Sequence, residues 1–150
     1  MPLAALAALA ALAMLAMSSA AAMPALSGHW QSVGLPRPIT VEYRAISNDL
    51  AMVERWRTFS GRETMTVYVT DKDRLTATHY CAQGNVATLL GTTANGVTTF
   101  DFVSALGVDP GEGVLVRLVF EQTPRGLRRT ETYREGGRDS VEVFDFVRTL

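Results

Sequence analysis

From Gly28 to Arg148 the chain alternates apolar and polar residues with a period of two, and turn-forming residues interrupt the pattern at short intervals. Thr64 to Thr70 is a clear case. Met65, Val67 and Val69 fall on one face, with Thr64, Thr66 and Tyr68 on the other, as a strand with two unlike faces requires. Turn residues stand at Asn48-Asp49, Ser60-Gly61, Asp71-Lys72-Asp73, Gly84-Asn85, Asn95-Gly96, Pro124-Arg125-Gly126 and Gly136-Gly137, and each closes one strand-like run and opens the next. Strands are expected near 28–33, 40–46, 50–58, 63–70, 74–81, 86–91, 97–103, 114–122, 127–134 and 140–148. Strands recurring every ~8–12 residues predict an all-β domain, an antiparallel barrel or sandwich. The one long irregular connection, 104–113, contains Asp109-Pro110-Gly111 and reads as a mobile rim loop.

The first thirty residues carry no charged side chain. Residues 3–17 are almost wholly Ala, Leu and Met, and Ser18-Ser19-Ala20-Ala21-Ala22 follows. An apolar core ahead of small residues reads as a signal peptide over 1–22, cleaved before Met23, with an exported domain over 23–150 and a periplasmic or secreted location. The alternative is an uncleaved membrane anchor over 1–26, which is long enough to span. That segment is the only expected contact with a membrane.

The 14 Lys plus Arg nearly balance the 15 Asp plus Glu, giving a net charge of -1. Such a chain has no long-range field to recruit nucleic acid. One cysteine, Cys81, excludes an intramolecular disulfide, and one thiol with two histidines cannot build a cysteine-rich zinc site. No metal is expected, and stability must come from packing.

Gly28-His29-Trp30 opens the first strand and Arg148 ends the last, in Phe144-Asp145-Phe146-Val147-Arg148. This arrangement resembles the calycins, the lipocalins and their relatives. The resemblance implies an up-and-down barrel of eight to ten strands, with the Trp30 indole covered by Arg148 at a closed end. An indole has one N–H that needs a partner, and a guanidinium can stack on its face. A second stretch carries Met65-Thr66-Val67-Tyr68-Val69, Asp73-Arg74-Leu75 and Thr78-His79-Tyr80-Cys81-Ala82-Gln83-Gly84-Asn85. It is similar to a group of bacterial lipocalin-like proteins of unassigned activity. Members of that group continue with Gln-Pro-Arg, where this chain has Val86-Ala87-Thr88.

If Leu75 and Ala77 face inward, alternation carries His79 and Cys81 inward with them. The opposite register would bury Tyr80. Glu42 beside Val41 and Tyr43, Glu54 beside Val53, and Arg117 between Val116 and Leu118 set charge among apolar neighbours. His79, Tyr80, Cys81, Glu42, Glu54 and Arg117 are therefore the candidate ligand-binding residues. His79 reads either as a haem-iron ligand or as a histidine bonded to the Gly84-Asn85 turn or to a carboxylate. Cys81 reads as a nucleophile or as a small buried side chain, and two-residue spacing on a strand sets it ~6–7 Å from His79, too far for a direct pair. Glu54 and Glu131 read as a general acid and base or as exposed, screened charges. Arg125, Arg128, Arg129, Arg134 and Arg138, interleaved with Glu131, Glu135 and Asp139, read as a solvated hairpin with cross-strand pairs. The expected function is an exported barrel that binds a small, partly apolar molecule without a cofactor. The alternatives are an isomerase or hydrolase for a small carbonyl or phenolic substrate, using His79 and a buried Glu, and a structural module with a filled barrel.

Overall fold

A computed structural model describes residues 23–150, so the expected signal or anchor segment lies outside the described residues apart from the end of the 1–26 span. Ten strands form: β1 (Gly28–Ser32), β2 (Thr40–Ile46), β3 (Ala51–Arg57), β4 (Glu63–Asp71), β5 (Arg74–Tyr80), β6 (Val86–Ala94), β7 (Val97–Leu106), β8 (Val114–Thr123), β9 (Gly126–Glu135) and β10 (Arg138–Thr149). Each pairs antiparallel with its sequence neighbours, and β1 pairs with β10, which closes an up-and-down barrel and excludes the sandwich. No helix is present among the described residues. The architecture is compatible with a calycin-like fold.

The turns form where the sequence places them. In the β6–β7 hairpin Asn95 and Gly96 both take positive φ, 52° and 77°, the two-residue turn whose twist matches its flanking strands. The expected irregular connection is shorter than its sequence, because β7 runs on to Leu106. The remaining loop is pinned. Buried Asn85 donates to Glu112 Oε2 at 3.1 Å and to the Gly113 carbonyl at 3.3 Å, and the Gly113 N–H donates to Gln83 Oε1 at 3.1 Å.

Up-and-down connectivity sorts the loops to two ends. At one end lie the short hairpin turns and the segment before β1. Leu26 from that segment is fully buried and Met23 packs on the core, so the chain plugs this end with its own apolar residues. Trp30 donates its indole N–H to the Leu26 carbonyl at 2.7 Å. Arg148 lies over the Trp30 ring, 4.5 Å from its centroid, and donates to the Ser27 and Ala25 carbonyls. Gly28 sits at φ 122°, a backbone conformation that calls for glycine, and the tip of Arg148 lies beside it.

The middle of the barrel is filled. Tyr68, Phe100, Phe120, Leu89, Leu118 and Leu127 are each almost fully buried in one core cluster, where the three rings touch one another, Phe100 and Phe120 edge to face. The opposite end carries the longer connections, 33–39, 58–62, 81–85 and 107–113, and the tip of the β9–β10 hairpin. Near it the wall changes. β8 pairs with β7 only between Val97 and Asp101, and bulges interrupt the ladders at Thr88/Leu89 and around Val116, so beyond Asp101 β7 keeps β6 as its ladder partner.

Candidate functional site at the barrel mouth

Register explains how the polar interior is assembled. Tyr43 lies opposite Glu54, Glu54 opposite Thr66, and Thr66 opposite His79, so four adjacent strands each send one polar side chain inward at the same level. Across the barrel, Arg129 on β9 completes this girdle. Glu54 is fully buried and accepts from Arg129 Nη1, from the Tyr68 hydroxyl at 2.6 Å and from the Thr66 hydroxyl at 3.2 Å. Arg129, 1% exposed, also donates to the Tyr43 hydroxyl at 3.0 Å, and its guanidinium stands 4.6 Å from the Trp56 ring and 5.4 Å from the Phe120 ring. A buried charge persists only when paired and bonded in this way. Burial pushes the Glu54 carboxyl up, but the Arg129 charge and the Arg129 and Tyr68 hydrogen bonds outweigh it and hold the group below the usual carboxylate range.

Thr66 fixes the state of His79. Its hydroxyl lies 2.9 Å from His79 Nδ1 and 3.2 Å from Glu54 Oε1. One hydroxyl proton cannot serve both, and the charge-assisted bond to Glu54 is the stronger. Thr66 therefore donates to Glu54 and accepts from His79 Nδ1–H, an assignment that follows from the network. Nε2 is left as a bare lone pair, buried without a partner among the described residues. Burial lowers the His79 pKa to about 4, with opposing pull from Glu54 and further depression from Arg129, so the ring is neutral at pH 7.

Above the girdle the mouth opens into a pocket of about 510 Å³. Trp56, Ile39, Tyr133 and Phe144 form its apolar walls, and Thr64, Cys81, Arg62, Glu131 and Glu142 add polar groups. Glu131, only 5% exposed, stands between pocket and girdle with Oε1 2.7 Å from Arg129 Nε. The contact is a buried ion pair. Burial, followed by opposition from Glu54 and Glu142 against the pull of Arg129, raises the Glu131 carboxyl above its ordinary range. Burial likewise raises the Tyr133 phenol, which stays protonated.

Several sequence expectations meet a different arrangement. His79 is inward, but it bonds neither the Gly84-Asn85 turn nor a carboxylate directly; Thr66 stands between it and Glu54. His79 and Glu54 lie outside the pocket lining, whereas Cys81 is half-buried at the rim. Tyr80 points outward and is 42% exposed. Glu42 faces a separate depression of about 440 Å³ on the outer wall, with Arg55, Arg57 and Glu63. Arg117 is on the outer wall too, paired with Asp101 at 3.1 Å. Alternation explains Arg117, because the buried Leu118 and Phe120 lie out of phase with it, while the bulge around Val116 lets Leu115 face inward as well.

The basic hairpin divides by face. Arg128 with Asp145 and Arg134 with Asp139 form exposed cross-strand pairs at 2.9 and 2.6 Å, as a solvated hairpin should. Arg129 and Glu131 do not belong to that surface; they are interior, as is Glu54, and none of the three is a screened surface charge. Among the described residues no group of three or more His, Cys, Asp or Glu side chains is arranged to hold a metal. Comparison with protein-family models and with curated proteins finds no match to this chain.

Proposed function

We propose that this protein binds a small, partly apolar molecule in the mouth pocket, acting as a lipocalin-like carrier or receptor that residues 1–22 direct out of the cytoplasm. The observation that carries the reading is the pocket itself, about 510 Å³ with Trp56, Ile39, Tyr133 and Phe144 on its walls and Glu131 at its floor. Apolar walls with a few fixed polar groups are how small-molecule sites supply affinity and orientation. The girdle beneath gives the pocket a rigid base, because Arg129, Glu54, Tyr43, Tyr68 and Thr66 hold one another. The fold alone carries no function.

The test is uptake of N-phenyl-1-naphthylamine, a neutral apolar dye that brightens when it leaves water. The wild-type protein is expected to bind it saturably and to quench in the Trp56 emission band as it does so. Thr64→Trp, which places a large side chain in the pocket lining, is expected to weaken uptake at least tenfold, about 1.4 kcal/mol. No uptake by wild type, or equal uptake by the filled variant, rejects the reading.

A further inference from the structure

We propose that the mouth selects an organic cation, an ammonium or guanidinium group on an apolar or aromatic body, with the charge seated between Glu131 and Glu142; this rests on the mouth being a ligand pocket. The β9–β10 ladder carries the argument. On its outer face opposite charges lie directly across from one another, Arg128 facing Asp145 and Arg134 facing Asp139. On its inner face Glu131 lies directly across from Glu142. Like charges in directly opposed positions destabilise a strand pair, because the Cβ atoms are only ~4.5–5.5 Å apart. Arg138 faces Glu135 on the inner side as well, so the hairpin breaks the charge rule at one place, the Glu131–Glu142 pair, and that place faces the pocket.

Arg129 relieves that opposition only in part, because its one charge is shared between Glu54 and Glu131. Its Nη1 is committed to Glu54 and Tyr43, and its Nε is paired with Glu131. Glu131, 5% exposed, lines the pocket and has Arg129 as its one cationic partner among the described residues. Glu142 has no cation within 4.0 Å among the described residues. The lining carries Glu131, Glu135 and Glu142 against Arg62 alone. An anion entering here would meet three carboxylates, and a neutral molecule would leave the opposition in place. A cation satisfies both glutamates, and its body can rest on Trp56, Tyr133 and Phe144, whose ring faces attract positive charge. The Arg129 guanidinium 4.6 Å from the Trp56 ring already makes such a contact from below.

The experiment is titration calorimetry at low salt with three molecules of similar shape: 2-phenylethylamine, 2-phenylethanol and phenylacetate. Each is titrated into wild type and Glu142→Gln; Glu142 is exposed, so the fold tolerates the change. Wild type is expected to bind the amine at least tenfold more tightly than the alcohol, with phenylacetate weakest. Glu142→Gln is expected to weaken amine binding about tenfold and leave the alcohol unchanged. Alcohol or phenylacetate binding as tightly as the amine overturns the cation preference while the pocket stands. An amine affinity unmoved by Glu142→Gln overturns the seat between the two glutamates. Binding of none of the three, together with no dye uptake, overturns the pocket reading as well.

Discussion

Replacing Arg129 by Met tests the girdle most directly. Met keeps most of the volume and flexibility of the arginine stem, so little cavity opens and the change is chiefly one of charge. It removes the Nη1 bonds to Glu54 and Tyr43, the ion pair to Glu131 and the guanidinium contacts with Trp56 and Phe120. Two carboxylates, 0% and 5% exposed, then remain without a cation. Removing one partner of a buried pair costs about 3–5 kcal/mol, a large part of the ~5–15 kcal/mol by which such a domain is stable. The pH dependence gives the sharper sign. In wild type the Glu54 pKa is depressed, so its contribution is present above the ordinary carboxylate pKa and is lost as pH falls through the folded value. Without Arg129, burial is the largest remaining influence and pushes Glu54 up. Folded Glu54 then holds a proton that the unfolded chain releases, and acidification from pH 7 to 5 stabilises the variant relative to wild type. Urea unfolding followed by tryptophan fluorescence at both pH values measures this. The stability gap should narrow at pH 5, and adding Glu54→Gln should recover at least half of it at pH 7. A gap under about 1 kcal/mol, or one that widens with acid, refutes the reasoning.

The depressed His79 predicts a further acid dependence. Between pH 6.5 and about 4 the unfolded chain takes up a proton that the folded ring refuses, so wild type loses about 3 kcal/mol across that window, partly offset by the raised Glu131. His79→Gln should lose less stability across the same range, and an equal acid loss in both proteins would contradict the neutral buried ring. Trp30→Ala should cost about 3–5 kcal/mol in thermal or urea unfolding, because the indole is 4% exposed. Arg148→Ala should cost less, about 1 kcal/mol, as the arginine covers the ring from the surface; a larger effect than that of Trp30→Ala would invert the assignment. Gly91→Ala sets a Cβ 2.7 Å from Leu75 Cγ and 2.8 Å from Phe100 Cε1, an overpacking expected to cost about 1–3 kcal/mol, and an unchanged unfolding midpoint would show that the core yields there.

Alternation and turn chemistry made the strands legible, since every reverse turn is written in Asn, Asp, Gly or Pro and the strands between them show period two. Closure of β1 on β10 is not a pattern property; only the Trp30 and Arg148 resemblance pointed toward it. The site was legible on β5, where Leu75 and Ala77 contrast with Arg74 and Thr76 and carry His79 inward. On β9 the two faces read Leu127, Arg129, Glu131, Tyr133 and Arg128, Thr130, Thr132, Arg134, both rich in polar groups, so hydrophobic contrast could not assign the charges. A signal was nonetheless present: Leu127 and Tyr133 bracket Arg129 and Glu131 in phase, as Met52 and Trp56 bracket Glu54. For Glu42 the same rule pointed outward, because its apolar neighbours Val41 and Tyr43 lie out of phase with it.

The seam between β1 and β10 bears on how the barrel is made. His29 to Ser32 can pair only with Phe146 to Thr149, more than a hundred positions away along the chain, so the ring cannot shut until its last strand exists. Every other ladder joins sequence neighbours and can zip hairpin by hairpin. The final joining step carries the largest loop-closure entropy and is expected to limit the folding rate, with the unclosed sheet exposing the β1 and β10 edges meanwhile. Arg148 reaches the Trp30 ring and the Ser27 and Ala25 carbonyls across this seam, so those contacts cannot exist before the ring shuts and act as a latch: weakening them should speed its opening.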